Sequence, residues 1–178
     1  MSERAKLSKV SPPGVRNKLS RLLWAAVEGT LYRWSPTLFH GWRRQILRLF
    51  GARVGAGFHS YPTARIWAPW NLEAGSNACL GPRVVCYNVV RVTLGADAVV
   101  SQGAHLCAAS HDFRDPAFPL VTGEIRIAAG AWVAADAFVG PGVTIGTRAV
   151  VGARAVVVKD VAAATVVAGN PARVVSRR

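Results

Sequence analysis

Hydrophobic residues recur at every sixth position in the C-terminal third of the chain. Starting from Ile127, steps of six residues reach only β-branched aliphatic residues: Ile127, Val133, Val139, Ile145, Val151 and Val157. A small apolar residue follows each of them four positions later: Ala131, Ala137, Val143, Ala149, Ala155 and Val161. An α-helix repeats every 3.6 residues and cannot hold side chains of this spacing on one face. The pattern therefore predicts short strands, each covering one side of a three-sided coil.

Three six-residue units complete one coil, and each unit points its aliphatic residue into the prism. Successive coils would stack at the parallel-sheet spacing of about 4.8 Å. Because a single coil cannot bury its own inward face, the core forms only by stacking. We predict an all-β fold, a parallel β-helix over residues 52–170.

The six-residue register continues more loosely toward the N-terminus. Val54, Ile66, Leu72 and Val84 keep it, with Ser60 and Ala78 as weak members. After a four-residue offset between Val90 and Leu94, it resumes with Leu94, Val100 and Leu106. The separation of Leu106 from Ile127 exceeds one coil by three positions, and Pro116, Pro119 and Gly123 lie between them. Proline and glycine disfavour regular strand pairing. We therefore expect a loop that protrudes at about residues 110–124.

Residues 17–51 instead carry apolar residues at three- and four-residue spacing, with arginines between them. Ser35 and Pro36 are typical of a helix start, and Gly51 of a helix end. We predict two amphipathic helices that cap the first coil, whose strand edges would otherwise be unpaired. Residues 1–16 are expected to form a flexible basic tail, and residues 171–178 a C-terminal tail.

Positive charge is concentrated near the N-terminus. Of the net charge of +13, residues 1–53 contribute +9, from 11 Lys and Arg against Glu3 and Glu28. Such a segment suits an anionic surface, with an ordinary solvated face as the alternative. For the two helices, contact with a membrane surface is the alternative to capping the coil, and it rests on Trp24, Trp34, Trp42 and Phe50 with their flanking arginines. No aromatic-basic nucleic-acid motif accompanies the charge, so no nucleic-acid partner is expected.

Cysteine content and the apolar runs bear on the compartment. Cys79, Cys86 and Cys107 are odd in number and lack zinc-ligand spacing, which favours reduced thiols in a cytosolic protein. The apolar run at residues 22–27 is too short for a signal peptide or a membrane span. We expect a cytoplasmic protein, with peripheral contact at the inner face of the membrane left open.

Four stretches of the sequence resemble a known family: SHDFRDPAFPL, GAWVAADAFVGPGVTIG, VVGARAVVVKDV and VVAGNPARVV. They are similar to the hexapeptide-repeat, left-handed β-helix acetyltransferases, in the sugar O-acetyltransferase branch that includes maltose and galactoside acetyltransferases. The N-terminal stretch TLYRWSP…WRRQILRLFGARVG resembles the colanic-acid and exopolysaccharide biosynthesis acetyltransferases. Together these resemblances cover nearly all of residues 20–175.

The resemblance implies a left-handed coil and an acyltransferase that uses acetyl-coenzyme A. It also implies a homotrimer with donor sites in the clefts between neighbouring prisms. The acceptor is expected to be a sugar or glycan intermediate, lipid-linked or nucleotide-activated, of an extracellular polysaccharide. His111 aligns with the catalytic histidine of the family.

Acetyl transfer to a hydroxyl requires a base that removes the hydroxyl proton. Histidine side chains titrate near neutral pH and suit this role, so His111 is the predicted general base. The alternative is a histidine that only caps a turn through Ser110 and Asp112. Asp112 could orient the ring, and Asp112, Arg114 and Asn88 are predicted to contact the acceptor. A turn residue at a coil corner is the alternative for Asn88.

The predicted donor-binding residues lie in the coils after the loop: Trp132, Gly140, Gly152, Ala153, Lys159 and Arg173. Glycine and alanine would let the pantetheine arm approach closely, and an outward-facing Trp132 would line the thioester end of the cleft. Lys159 and Arg173 match basic positions of the family and suit the phosphates of coenzyme A. Trimer packing of the indole and plain solvated charge are the alternatives.

Three other functions compete with acetylation of a polysaccharide intermediate. One is acetylation of a small free sugar or xenobiotic, and another is a catalytically silent trimeric scaffold. The third is a metal hydratase of the carbonic-anhydrase type, which would need a zinc site built from His59, His105 and His111. Because the histidine spacing and the interrupting loop do not fit that group, no metal is expected.

Overall fold

The computed structural model describes residues 7–9 and 14–178 of the chain. The expected tail at residues 1–16 therefore falls partly outside the described residues. The strands in the described part of the chain are β1 Ser8–Lys9, β2 Arg53–Val54, β3 His59–Ser60, β4 Arg65–Ile66, β5 Leu72–Ala74, β6 Cys79–Leu80, β7 Val85–Tyr87, β8 Val92–Leu94, β9 Val99–Val100, β10 His105–Cys107, β11 Ala109–His111, β12 Leu120–Thr122, β13 Ile125–Ile127, β14 Trp132–Val133, β15 Phe138–Val139, β16 Thr144–Ile145, β17 Val150–Val151, β18 Val156–Val157, β19 Thr165–Ala168 and β20 Arg173–Arg177.

Three parallel sheets form the sides of a prism. Side one consists of β2, β5, β8, β13 and β16, and side three of β4, β7, β10, β15 and β18. Side two consists of β3, β6, β9, β14, β17 and β19, with β20 added antiparallel at its end. All members of the six-residue series from Ile127 to Val157 are buried inside this prism. The predicted fold, a parallel β-helix of hexapeptide repeats with an N-terminal helical cap, is confirmed.

The coils differ in length between the two halves of the prism. In the C-terminal half Arg126 pairs with Thr144, three six-residue units further along, which matches the expected coil. In the N-terminal half Arg53 pairs with Glu73, so each coil there is longer by two residues. The two extra residues lie at the corner between sides three and one, where Pro69–Asn71 form a 3-10 turn. The prediction of three equal six-residue sides is wrong there because the corner, and not the strands, changes in length.

Two helices and a π-helical turn cover the first coil. They are α1 Val15–Val27, the π-helical turn Glu28–Tyr32 and α2 His40–Leu49. Trp24, Tyr32 and Leu47 bury their side chains against the coil. The second helix begins at His40 and not at the predicted Ser35–Pro36 start, because Ser35 Oγ donates to Tyr32 O (2.6 Å) and closes the preceding turn.

A buried arginine holds the connection between the two helices. Arg43 is fully buried, and its guanidinium donates to the carbonyl oxygens of Ser60 (2.6 Å) and Pro36 (2.8 Å) and to Ser35 Oγ (2.8 Å). It also donates to the carbonyl of Thr37. Hydrogen bonds from one cation to several carbonyls satisfy it without a carboxylate partner.

Both chain ends differ from the expected tails. Residues 173–177 form β20, which pairs with β19 and closes side two. Within the expected N-terminal tail, Ser8–Lys9 form β1, which pairs with β12 of the protruding loop. No helix in residues 14–178 is long and apolar enough to cross a membrane.

Candidate active site

The protruding loop is a β-hairpin that leaves side three directly after β10. Its strands β11 and β12 are antiparallel, and His111 pairs with Leu120. The N-terminal strand β1 adds a third strand to this hairpin, with Ser8 opposite Thr122. Lys9 Nζ lies 2.9 Å from Asp115 Oδ2 at the tip. The N-terminal segment thus holds the hairpin from outside.

His111 is exposed on β11, and a single residue of the hairpin orients its ring. His111 Nδ1 lies 2.9 Å from the carbonyl oxygen of Phe118. The two rings stack with centroids 4.4 Å apart and an interplanar angle of 6°. A carbonyl oxygen only accepts hydrogen bonds, so Nδ1 carries a proton, and in the neutral ring the lone pair is on Nε2. Nε2 is therefore the atom that can remove a proton from a substrate.

Asp112 follows His111 but serves the turn of the hairpin. Its Oδ1 accepts a hydrogen bond from the Arg114 backbone N–H (3.2 Å), and its own N–H donates to Pro119 O (3.0 Å). The group that orients the His111 ring is the Phe118 carbonyl, which no sequence signal identified. Arg114 is exposed, with its guanidinium carbon 5.5 Å from the centre of the Phe113 ring.

Asn88 is fully enclosed in the prism. Its Nδ2 donates to Ala68 O (2.7 Å) and its Oδ1 accepts from Ala68 N–H (3.0 Å). Both ends of the amide are thereby used across neighbouring coils, and the side chain has no exposed surface. These contacts are those of the alternative, a corner residue, and they use both polar groups of the Asn88 side chain.

A stack of side chains on side three leads to the base of the hairpin. The Arg21 guanidinium lies 2.9 Å from the centroid of the Trp67 ring, and the Trp67 and Tyr87 rings meet edge to face at 4.9 Å. Tyr87 O accepts a hydrogen bond (3.1 Å) from the N–H of Ala108, the residue before β11. The sequence predicted none of these three side chains as part of a site, because they come from separate segments.

Trp132 lies on the outside of side two, where 45% of its surface is exposed. Its indole Nε1 donates to Ser101 Oγ (2.8 Å) on the neighbouring coil. This hydrogen bond fixes the plane of the ring against the prism wall. The exposed indole is thus a rigid surface that a ligand or a second chain could contact.

The predicted donor-binding residues divide between two sides of the prism. Gly152 and Arg173 lie on side two. A Cβ on Gly152 would lie 3.1 Å from Ala168 Cβ, and Ala168 pairs with Arg173. On side three, Gly140 N–H donates to Val157 O (2.9 Å), and Lys159 follows β18.

Trp132 and Ala153 extend the side-two group: the indole lies on its outer face and Ala153 is exposed just after β17. The hairpin that carries His111 leaves side three. In one chain the side-two residues and the His111 hairpin therefore lie on different faces of the prism.

The histidines do not gather into a metal site within one chain. His59 lies on β3 of side two, beside the ring of His40 at 4.8 Å. His105 lies on β10 of side three against Phe138, and its partial burial lowers the pKa of its imidazole. Within residues 7–9 and 14–178, no three His, Cys, Asp or Glu side chains form a group that could hold a metal ion.

The outer faces of the three sides differ in polarity. Side one presents charged and hydroxyl side chains: Arg53, Glu73, Thr93, Arg126 and Thr144. After the first coil, sides two and three present mainly apolar or aromatic ones: Cys79, Val99, Trp132, Val150, Val166, Val85, His105, Phe138 and Val156. Side one has the composition of a solvent-exposed surface, whereas sides two and three have that of a protein interface.

The chain resembles curated and structurally determined proteins over most of its length. It is 42% identical over 169 residues to the "Putative colanic acid biosynthesis acetyltransferase WcaF" of Escherichia coli (strain K12), covering 94% of this chain and 93% of that protein. The chain matches no protein-family model.

Two crystal structures share the fold. A maltose O-acetyltransferase from Clostridium difficile 630 superposes with a TM-score of 0.82 at 24% identity, covering 92% of this chain and 89% of that one. A hexapeptide-repeat containing acetyltransferase from Vibrio cholerae O1 biovar eltor, in complex with acetyl-coenzyme A, superposes with a TM-score of 0.84 at 23% identity, covering 99% and 98%.

The fold together with the similarity of the sequence defines a hexapeptide-repeat acyltransferase, which confirms the predicted enzyme class. Within that class, the chain belongs to the family of colanic acid biosynthesis acetyltransferases. The resemblance noted in the sequence is thereby confirmed.

Proposed function

We propose that this protein transfers an acetyl group from acetyl-coenzyme A to a hydroxyl of a sugar, with His111 as the general base. The observation that carries this proposal is the hydrogen bond between His111 Nδ1 and the Phe118 carbonyl. In the neutral ring that bond places the proton on Nδ1 and the lone pair on Nε2, on a hairpin that interrupts an otherwise regular prism.

The chemistry requires few groups. Nε2 of His111 accepts the proton of the sugar hydroxyl as its oxygen attacks, and the Nδ1–H···O=C bond stabilises the imidazolium that forms. The thioester of the donor supplies the acetyl group, and coenzyme A leaves as the thiol. His111 returns the proton to the sulfur, so that the imidazole is neutral again at the end of the cycle.

The donor is proposed to bind in a cleft between two copies of the chain. Gly152, Ala153, Arg173 and Trp132 on side two of one copy would face the His111 hairpin on side three of the next. The division of the predicted residues between two sides supports this arrangement, because the outer faces of the two sides point in different directions on one prism. The apolar outer faces of sides two and three support a closed homotrimer, in which side two of each prism meets side three of the next.

Gly140 and Lys159 lie on side three with the hairpin. Lys159 is exposed and is proposed to bind a phosphate of the donor. Gly140 is packed under Phe138 and Val158, where a Cβ would lie 3.6 and 3.7 Å from their nearest carbon atoms. These are ordinary contact distances, so Gly140 is proposed only as part of the smooth wall along which the pantetheine arm lies.

The acceptor is proposed to be an intermediate of an extracellular polysaccharide, as the description of the WcaF relative indicates for that protein. Trp67 and Tyr87 provide aromatic surface below the hairpin, and sugar rings pack their C–H faces against such rings. Arg21 on Trp67, with Arg114 and Asp112 on the hairpin, would bind hydroxyl or acidic groups. Because its donor is an intracellular metabolite, we propose that the enzyme works in the cytoplasm.

Calorimetric titration of the full chain with acetyl-coenzyme A tests the donor. We expect one site per chain, weaker binding by Lys159→Ala and unchanged binding by Lys18→Ala, whose lysine lies on α1. Absence of saturable binding at millimolar ligand would refute the acetyltransferase proposal.

Acetyl transfer to sugar acceptors then tests the base. His111→Ala should bind the donor normally and lose about a hundredfold or more in kcat, in the range of general-base catalysis. Equal rates for wild type and variant would remove His111 from the mechanism while leaving the donor site intact.

A further inference from the structure

The connection between the two helices exposes a cluster of large apolar side chains. This cluster, called the hairpin surface, belongs to the helical cap and not to the β-hairpin that carries His111. It consists of Leu31, Trp34, Leu38, Phe39 and Trp42, which are 48% to 87% exposed. The same segment buries Tyr32 against the first coil, as α2 does with Ile46 and Leu47. The hairpin surface is therefore separate from the face that caps the prism.

Hydrogen bonds fix the backbone beneath the hairpin surface. Trp42 Nε1 donates to Leu31 O (3.1 Å), which ties α2 to the π-helical turn. The buried Arg43 holds Ser35, Pro36 and Thr37 from below. These bonds hold the backbone that carries Trp34, Leu38 and Phe39 in place, so that the apolar side chains are presented outward in the folded state.

The charge around the hairpin surface is mainly positive. Residues 29–72 contain no aspartate or glutamate, and their arginines are Arg33, Arg43, Arg44, Arg48, Arg53 and Arg65. Arg33 is exposed beside Trp34, and Arg44 lies half-buried with its Nη1 3.3 Å from Phe58 O. The nearest acid, Glu28, is half-buried and accepts a hydrogen bond from the Ile66 N–H (3.0 Å). Exposed apolar and indole side chains rimmed mainly by cations match the interface of an anionic bilayer. A second copy of the chain would instead bring like charges together.

We propose that the hairpin surface docks this enzyme on anionic membranes, with Trp34, Leu38 and Phe39 entering the headgroup region and Arg33 and Arg44 meeting lipid phosphates. The inference does not depend on the acetyl-transfer proposal, since it concerns the helical cap and not the His111 hairpin. It gives the enzyme a place at the surface where a lipid-linked glycan would be available.

Sedimentation of the full chain with vesicles tests the proposal. Vesicles of phosphatidylcholine and phosphatidylglycerol, roughly three to one, should bind the wild type, and phosphatidylcholine alone should bind it much less. Trp34→Ser with Leu38→Ser should weaken binding at least tenfold. The matched control is Val174→Ser with Val175→Ser, which removes two valines that are 67% and 60% exposed on β20. Equal binding by the Trp34→Ser, Leu38→Ser variant and the wild type would overturn the proposal.

The charge arm uses Arg33→Gln and Arg44→Gln. Each should weaken binding to the anionic vesicles about fivefold, and added salt should weaken wild-type binding in the same way. Hydrodynamic size tests whether a second copy of the chain covers this surface instead. If the wild type fails to bind vesicles and only the Trp34→Ser, Leu38→Ser variant forms a smaller assembly, the surface joins two copies and the proposal is wrong. Titration with acetyl-coenzyme A should be unchanged in the Trp34→Ser, Leu38→Ser variant and in the two arginine variants, which distinguishes failure of this proposal from failure of the acetyltransferase proposal.

Discussion

The carbonyl oxygen of Phe118 accepts a hydrogen bond from the Nδ1–H of His111, while the Phe118 ring stacks on the imidazole. One residue thus fixes both the tautomer and the plane of the histidine. Seven positions separate the two in sequence, and the antiparallel pairing of β11 with β12 brings them together. Phe118 is a positioning residue for the proposed base.

Phe118→Ala should lower kcat about tenfold to a hundredfold and leave the Kd for acetyl-coenzyme A unchanged. The backbone carbonyl remains, but without the stacked ring the imidazole can rotate out of its reactive position, and small displacements of catalytic groups are costly. Steady-state kinetics and calorimetry measure the two quantities. Phe118→Tyr should restore the rate, and Phe113→Ala, on the same hairpin, is the matched control. A rate for Phe118→Ala equal to that of the wild type would show that the stacking has no role.

The N-terminal strand β1 should steady the hairpin through Lys9 and Asp115. Lys9→Ala should speed hydrogen exchange of the backbone amides of β11 and β12 and leave the amides of the prism unchanged. Both side chains are open to solvent, so added salt should reduce the difference between wild type and variant. Exchange measured by mass spectrometry checks this, with Lys18→Ala as the control. Identical exchange of the hairpin in wild type and Lys9→Ala would contradict it.

The same ion pair sets a pH window for the hairpin. The hydrogen bond from Lys9 holds the pKa of Asp115 below its usual range, and Asp115 raises the pKa of Lys9. The contribution of Asp115 is present above the ordinary carboxyl range and is lost as the pH falls through its lowered pKa. The contribution of Lys9 is present below the ordinary lysine range and is lost as the pH rises through its raised pKa. The protection of the hairpin by β1 should therefore be constant across neutral pH.

Trp132 should contribute to donor binding through its fixed indole. Trp132→Ala should raise the Kd for acetyl-coenzyme A about three- to tenfold, as expected for the loss of one aromatic contact. Ser101→Ala removes only the hydrogen bond to the indole and should have a smaller effect in the same direction. Trp34→Ala is the control, since that indole lies on the helical cap. If Trp132→Ala instead breaks the assembly into single chains, the indole belongs to the interface between copies.

The fold could be predicted where its repeat is strict. From Ile127 to Val157 each side of the prism is one six-residue unit, and the aliphatic positions record that length directly. Between Ile66 and Ala74 the corner holds two more residues, so the inward positions are eight apart while Leu72 is buried as well. Because the added residues are themselves partly apolar, the sequence alone did not reveal the longer corner.

The site could be predicted only where the sequence breaks its own pattern. His111 stands out as the candidate base because the repeat stops there and because the surrounding residues resemble the family. Phe118, Trp67 and Arg21 carry no such signal, since their meaning depends on contacts between distant segments. Asn88 shows the reverse: a polar residue at a corner has the same appearance whether it binds a sugar or, as here, an adjacent coil.

Arg43 should stabilise the helical cap more than any exposed arginine of the chain. Arg43→Lys should reduce the free energy of unfolding by about 2–4 kcal/mol, since a lysine cannot direct hydrogen bonds to all the acceptors around the guanidinium. For a chain of this size that corresponds to a decrease in Tm of roughly 5–12 °C. Thermal unfolding followed by circular dichroism measures it, with the exposed Arg33→Lys as the control. Because the donor site is proposed to lie on sides two and three, acetyl-coenzyme A binding below the transition should be retained. An unchanged Tm for Arg43→Lys would mean that the carbonyls of the connection find other donors.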